Sequence, residues 1–103
     1  MSVYLVADIA VSDPESYQEY IKLVPAFIKK HHGRYLIRSS EAEVIEGQWK
    51  PGRLIMLEFP NRELAQAFIE DPEYQRIASI RKEAARTNLV MVEGYVEKSL
   101  PGT

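Results

Sequence analysis

The chain has no cysteine, only 5 glycines and 6 prolines in 103 residues, and no excess of charge of one sign. Without a thiol there is no disulfide, no iron–sulfur cluster, no thiolate zinc site and no cysteine nucleophile. Apolar runs such as Leu54 to Leu57 fall far short of the ~20 residues a bilayer helix needs. The N-terminal Met1-Ser2-Val3-Tyr4 has neither the basic region nor the apolar stretch of a secretory leader, so a cytoplasmic location is expected. Lys and Arg number 13 against 15 Asp and Glu, a net charge of -2. A nucleic-acid binder concentrates positive charge, because phosphate neutralisation supplies much of its affinity. The cluster Lys29, Lys30 and Arg34 around His31-His32 reads instead as a match to a helix C-terminal dipole. Neither a nucleic-acid nor a membrane partner is expected. Phosphate loops, dinucleotide fingerprints and H-E-x-x-H are absent, and Gly47 and Gly52 are isolated turn glycines.

What is present is the composition of a folded domain, 46% hydrophobic and 27% charged. The length suits one domain over residues 1–97, with 98–103 as a frayed tail. Val3 to Val11 reads as a central strand, with Val3, Leu5, Ala7 and Ile9 on one face and Tyr4, Val6, Asp8 and Ala10 on the other. Asp13-Pro14-Glu15 opens a helix whose apolar stripe is Tyr17, Ile21, Val24, Ile28 and His31. Pro25 predicts a kink or break in its last turns, and Gly33 a left-handed cap. Arg34 to Ser39 is a second strand, with Glu41 to Ile45 as its extension beyond a bulge. Glu46 to Gly52 is a loop, and Arg53 to Phe59 a third strand. Asn61 caps a second helix, interrupted at Asp71-Pro72-Glu73 and resumed through Tyr74, Ile77, Ala78, Arg81 and Ala84. Asn88 to Glu97 is the last strand.

The order β-α-β-β-α-β is the ferredoxin-like split βαβ pattern of the α+β class: a four-stranded antiparallel sheet with helices on one face. Two helices leave the other face uncovered, and the expected uncovered set is Leu36, Leu54, Met56, Leu89 and Met91. A one-residue slip exchanges the faces, but both are rich in apolar side chains. A soluble chain does not leave such a surface in water, and a second copy by two-fold symmetry is the simplest cover. The expected partner is therefore the chain itself, through the sheet face opposite the helices.

Candidate chemistry rests on a few polar residues. His31 and His32 point about 100° apart on a helix and chelate poorly. No metal and no cofactor is expected, and a haem would lack an axial ligand. Asp8, Arg38, Glu58 and Glu93 interrupt apolar alternation, so Arg38 is expected to pair with one of these carboxylates. Arg81 follows Tyr74 by two helical turns, which puts both on the sheet side; a guanidinium there offers five donors to a carboxylate or oxyanion. The candidate catalytic residues are His32, Arg38, Tyr74 and Arg81. Trp49 and Arg53, across Pro51, are read as a lid or rim, with Trp49 either a pocket cap or a dimer anchor.

Several stretches together resemble a known family. They are Asp13-Pro14 with Tyr17 and Tyr20; Gly33-Arg34-Tyr35-Leu36 and Arg38; Glu46-Gly47, Trp49 and Pro51; Arg53 into Phe59-Pro60; Ala65; Tyr74-Gln75; Arg81; and Glu93-Gly94-Tyr95. The pattern is similar to the bacterial domain of unknown function family 1330, within the dimeric α+β barrel superfamily. The resemblance implies a ferredoxin-like subunit whose sheet packs on a partner's sheet as a dimeric α+β barrel. The family usually has Gly-Gly where His32-Gly33 stands, and again where Ser39-Ser40 follows Arg38. It carries no established activity. The wider superfamily includes cofactor-free monooxygenases, isomerases, haem enzymes and ligand-binding domains, which is analogy of fold and not of function.

Three functions fit. One is a cofactor-independent enzyme, isomerase or monooxygenase-like, acting on a small anionic or enolisable molecule. Another is a non-catalytic small-ligand-binding or stress-response module. The third is a structural dimerisation domain without a pocket. A closed cavity holding a buried, shifted titratable group marks the first, a pocket without an arranged acid and base the second, and the lack of a pocket the third.

Overall fold

Alternation of apolar residues makes β1 (Val3–Val11) the spine of the sheet: Val3, Leu5, Ala7 and Ile9 are all buried. The computed structural model describes residues 1–97. After β1 come α1 (Pro14–Lys30), β2 (Arg34–Ser39), β3 (Arg53–Phe59), α2 (Arg62–Glu70), α3 (Pro72–Ala84) and β4 (Ala85–Glu93). The strand order is β2-β3-β1-β4, and all three pairings are antiparallel. The frayed tail expected at 98–103 lies outside the described residues.

The split βαβ topology, with helices on one sheet face, is present, but the barrel that the resemblance implied is not. The sheet is open, with β2 and β4 at opposite edges. Closing it would need those edges to hydrogen-bond to each other, and two intervening strands hold them apart.

Register fixes the faces. Ile9 stands opposite Arg53 and Thr87, Ala7 opposite Ile55 and Leu89, and Leu5 opposite Leu57 and Met91. Leu89 and Met91 therefore lie on the helix side, correcting the expected uncovered set. The uncovered face carries Tyr4, Val6, Leu54, Met56, Val90 and Val92. Val90 and Val92 are 56% and 47% exposed. β4 also starts at Ala85, directly from α3, and not at Asn88. β2 does not extend to Ile45. Its bulge lies inside the strand, between Tyr35 and Ile37, and the Ser39 hydroxyl accepts from the Glu41 N–H where the chain turns away.

Helix α1 runs through Pro25 without a break, anchored on either side by buried Tyr20, Val24 and Ile28. Its left-handed terminal residue is His32, at φ 65°, and not Gly33. A non-glycine residue there costs roughly 1 kcal/mol. Gly33 is required for a different reason. Its N–H donates to the Ile28 carbonyl, and a Cβ would meet the Phe59 ring at 2.6 Å.

The second helical region breaks where Asp71-Pro72 predicted. Asp71, 7% exposed, caps α3 by accepting from the N–H groups of Glu73 and Tyr74. Its other oxygen takes the Lys30 ammonium at 2.9 Å and the His31 Nε2 at 2.8 Å, tying the end of α1 to the start of α3. The His31 ring, the Lys30 ammonium and the two backbone donors hold the Asp71 carboxyl well below the usual carboxylate range. A carboxylate depressed in the native state stabilises the fold fully above its unfolded value, near pH 4, and loses that contribution as pH falls further. Urea midpoints measured from pH 7 down to pH 2 are expected to fall more steeply below pH 4 for the wild type than for Asp71→Asn. Parallel curves would remove Asp71 as the source.

Candidate functional site

The helix layer does not lie flat on the sheet. α1 packs chiefly against α3, and the sheet meets the helices mainly through α2 and α3. Tyr17, Tyr20 and Tyr74 stand between the layers as bulky pillars, while the small Ala7 and Ala78 leave space between them. The result is a cavity of about 220 Å³ lined from all four strands and all three helices. Its walls are mostly aliphatic: Leu5, Ile9, Val24, Ile28, Ile55 and Leu57.

The polar groups in these walls are unevenly signed. Arg38, Arg53, Arg81 and Lys82 line the cavity, and no Asp or Glu does among the described residues. Arg81 is 8% exposed and lies over the Tyr20 ring, with 5.6 Å from the guanidinium carbon to the ring centroid. The Tyr20 and Tyr74 hydroxyls are hydrogen-bonded at 2.8 Å beside it. Arg38 stacks on Tyr35 at 4.9 Å. Among the described residues the ion pairs join Lys22 to Glu19, Lys30 and His31 to Asp71, and Arg34 to Glu58. None of them uses a cavity arginine. Burial pushes the phenols of Tyr17, Tyr20 and Tyr35 upward, so they are neutral hydrogen-bond donors at neutral pH. The Thr87 hydroxyl is buried in the same wall without a hydrogen-bond partner among the described residues.

Of the four candidate catalytic residues, Arg38, Tyr74 and Arg81 line this cavity. His32 is exposed at the end of α1 and is not part of the cavity lining. Among the described residues of one chain, Arg38 makes no ion pair with a strand carboxylate; a pairing across a dimer seam, the other form expected, lies outside a single chain. Glu58 takes the Arg34 Nε at 2.6 Å and the Tyr4 hydroxyl at 3.1 Å. Asp8 accepts from the Trp49 indole at 2.8 Å and from the Gly52 N–H at 2.9 Å. Those bonds also separate Trp49 from Arg53: the indole is tied to Asp8, on the uncovered face, while Arg53 points into the cavity. Arg53 lines both the cavity and the surface groove beside it, on the core face where the alternation Ile55, Leu57, Phe59 carried two residues back puts it. Thr87 was missed because β4 was started one residue after it. Among the described residues, no group of three or more His, Asp or Glu is placed to hold a metal ion. No helix there is long and apolar enough to cross a membrane.

Comparison with known proteins agrees with this fold. Residues 2–95 match the family described as Domain of unknown function (DUF1330). No curated protein matches. The structure is similar to that of RPA0582, a protein of unknown function from Rhodopseudomonas palustris. That likeness has TM-score 0.77 and 14% identity, over 93% of this chain and 84% of that one. It is similar also to SnoaB, a cofactor-independent oxygenase from Streptomyces nogalater (TM-score 0.65, 13% identity, 97% of each chain). A dimeric ferredoxin-like protein of unknown function from Jannaschia sp. CCS1 is a third likeness. Its TM-score is 0.66 at 10% identity, over 91% of this chain and all 100% of that one. At these identities the likenesses show the fold alone.

Proposed function

The chain belongs to the DUF1330 family, and from that premise and the cavity we propose that it binds a small, largely apolar anion between sheet and helices. The observation that carries the reading is Arg81. A buried guanidinium without a carboxylate partner is costly, and a bound carboxylate, phenolate or enolate offsets that cost with charge-assisted hydrogen bonds. Arg38 and Tyr74 belong to the same proposed site, and the hydrogen-bonded pair of Tyr20 and Tyr74 hydroxyls has one proton left to donate beside Arg81. His32 has no part in it. The cavity is smaller than the ~300 Å³ at which drug-sized sites begin, so it suits a molecule of about one ring.

The fold likeness to a cofactor-independent oxygenase supports a catalytic version of the same site. With no carboxylate or imidazole among the described lining residues, the role left to the protein is to favour ionisation of an enolisable molecule whose α-proton passes to a solvent water. Arg81 and the phenols would stabilise the resulting anion. Titration of the wild type at pH 7, followed by NMR, is expected to show benzoate binding at least tenfold more tightly than benzamide. Equal affinities for the two compounds would overturn the anion reading.

We propose further that two copies pair through the uncovered sheet face, where Val6, Leu54, Met56, Val90 and Val92 form a continuous apolar surface. The dimeric protein of like fold supports this. A sedimentation run at micromolar concentration should give a dimer for the wild type and a monomer for Val90→Arg. A monomeric wild type would refute the pairing.

A further inference from the structure

Arg53 extends the proposed anion site beyond one charge. It belongs both to the cavity wall and to a shallow groove on the surface, which it lines together with Pro14, Gln18, Ser40 and Pro51. Ile9 and Tyr17 are shared by the two spaces as well, so this end of the cavity is its threshold. Arg81 lies inside, 8% exposed, on the helix layer; Arg53 is half-buried on the sheet layer. Neither has a carboxylate partner among the described residues.

Across the sheet, Arg53, Ile9 and Thr87 form one row in register. Two strand spacings separate Arg53 from Thr87, about 10 Å. The Thr87 hydroxyl, at the far end of that row, is buried and has no hydrogen-bond partner among the described residues. Arg38 stands one row further in, opposite Ile55. A buried cation on the helix layer and a half-buried one at the threshold therefore border an otherwise apolar space of about one ring's size. A single negative charge held by Arg81 would leave the mouth unmatched.

We infer that the cavity takes a dianion: a single-ring molecule with one acidic group held by Arg81 and the Tyr20–Tyr74 hydroxyls, and a second held at the threshold by Arg53. This rests on the anion reading above and adds the second charge. An aromatic dicarboxylate or an ionised hydroxy-carboxylate has this form. Entry acid-first past Arg53 and Arg38 follows from the same arrangement.

The test is a ratio of affinities, using isophthalate and benzoate as probes in calorimetric titrations at pH 7. In the wild type isophthalate is expected to bind at least tenfold more tightly than benzoate. Arg53→Met is expected to bring that ratio close to one. Should Arg53→Met fail to fold, Arg53→Gln is read in the same way. A wild-type ratio near one, or a ratio untouched by either Arg53 variant, overturns the dianion while leaving the anion site standing. Absence of binding by both acids overturns the two readings together.

Discussion

Replacing Arg81 by methionine is expected to weaken benzoate binding by about 100-fold while leaving the melting temperature unchanged or raising it. The two signs come from one cause. Arg81 is 8% exposed in a wall without acidic residues among the described lining. A guanidinium meeting a carboxylate in such surroundings makes paired charge-assisted bonds of roughly 1.5–3 kcal/mol each, and 1.4 kcal/mol is a factor of ten. Methionine keeps the length and apolar stem of the side chain but removes the charge. In the unliganded fold that removal relieves a desolvated cation, so stability does not suffer. A structural arginine would behave in the opposite way, losing stability on replacement with little effect on binding. If the bound molecule is enolisable, exchange of its α-hydrogen for solvent deuterium should slow in the same variant. Calorimetry beside a thermal melt separates the outcomes, and a large fall in melting temperature with binding retained would make Arg81 a scaffold residue.

Phe59→Ala should destabilise the chain by about 4 kcal/mol, the usual cost of emptying a buried phenylalanine site. Phe59 is 0% exposed, sits 5.4 Å from the Phe68 ring, and presses so close to Gly33 that no Cβ fits there. Surroundings that tight cannot collapse into the space left behind. For a domain of this size the loss corresponds to a fall of roughly 20 °C in melting temperature. Phe59 does not line the cavity, so the fraction that remains folded should keep its benzoate affinity. A shift of only a few degrees in a calorimetric scan would mean that the β1–β3–α2 core is looser than its packing indicates.

Much of the architecture could be read from the chain because it is written in local periodicities. The alternation of Val3, Leu5, Ala7 and Ile9 defines β1, and Asp13-Pro14 and Asn61 mark helix starts where the structure has them. Asp71-Pro72 marks the break between α2 and α3 for the same reason: a capping carboxylate followed by a residue without an N–H. Boundaries set by tertiary contacts were harder. Ala85 enters β4 because β1 supplies its partner Val11, and no local signal announces that pairing. The left-handed turn fell on His32 because Gly33 was already committed to the close approach of Phe59. The barrel was carried over from the family resemblance, and the open strand order removes it.

The candidate site divides along the same line. Tyr74 and Arg81 share a helix face by spacing alone, and Arg53 follows from strand alternation. By itself, then, the sequence determined the elements, their order, the apolar stripes and the excess of apolar surface over what two helical layers can cover. Only the tertiary structure decided that Arg38, Arg53 and Arg81 border one cavity and that the strand carboxylates Asp8 and Glu58 are engaged elsewhere. It alone also left Thr87 without a partner. The physical reason is range: helix and strand patterns are fixed by neighbours a few residues apart. The charge balance of a cavity depends on side chains brought together from β2, β3 and α3 by register and layer packing.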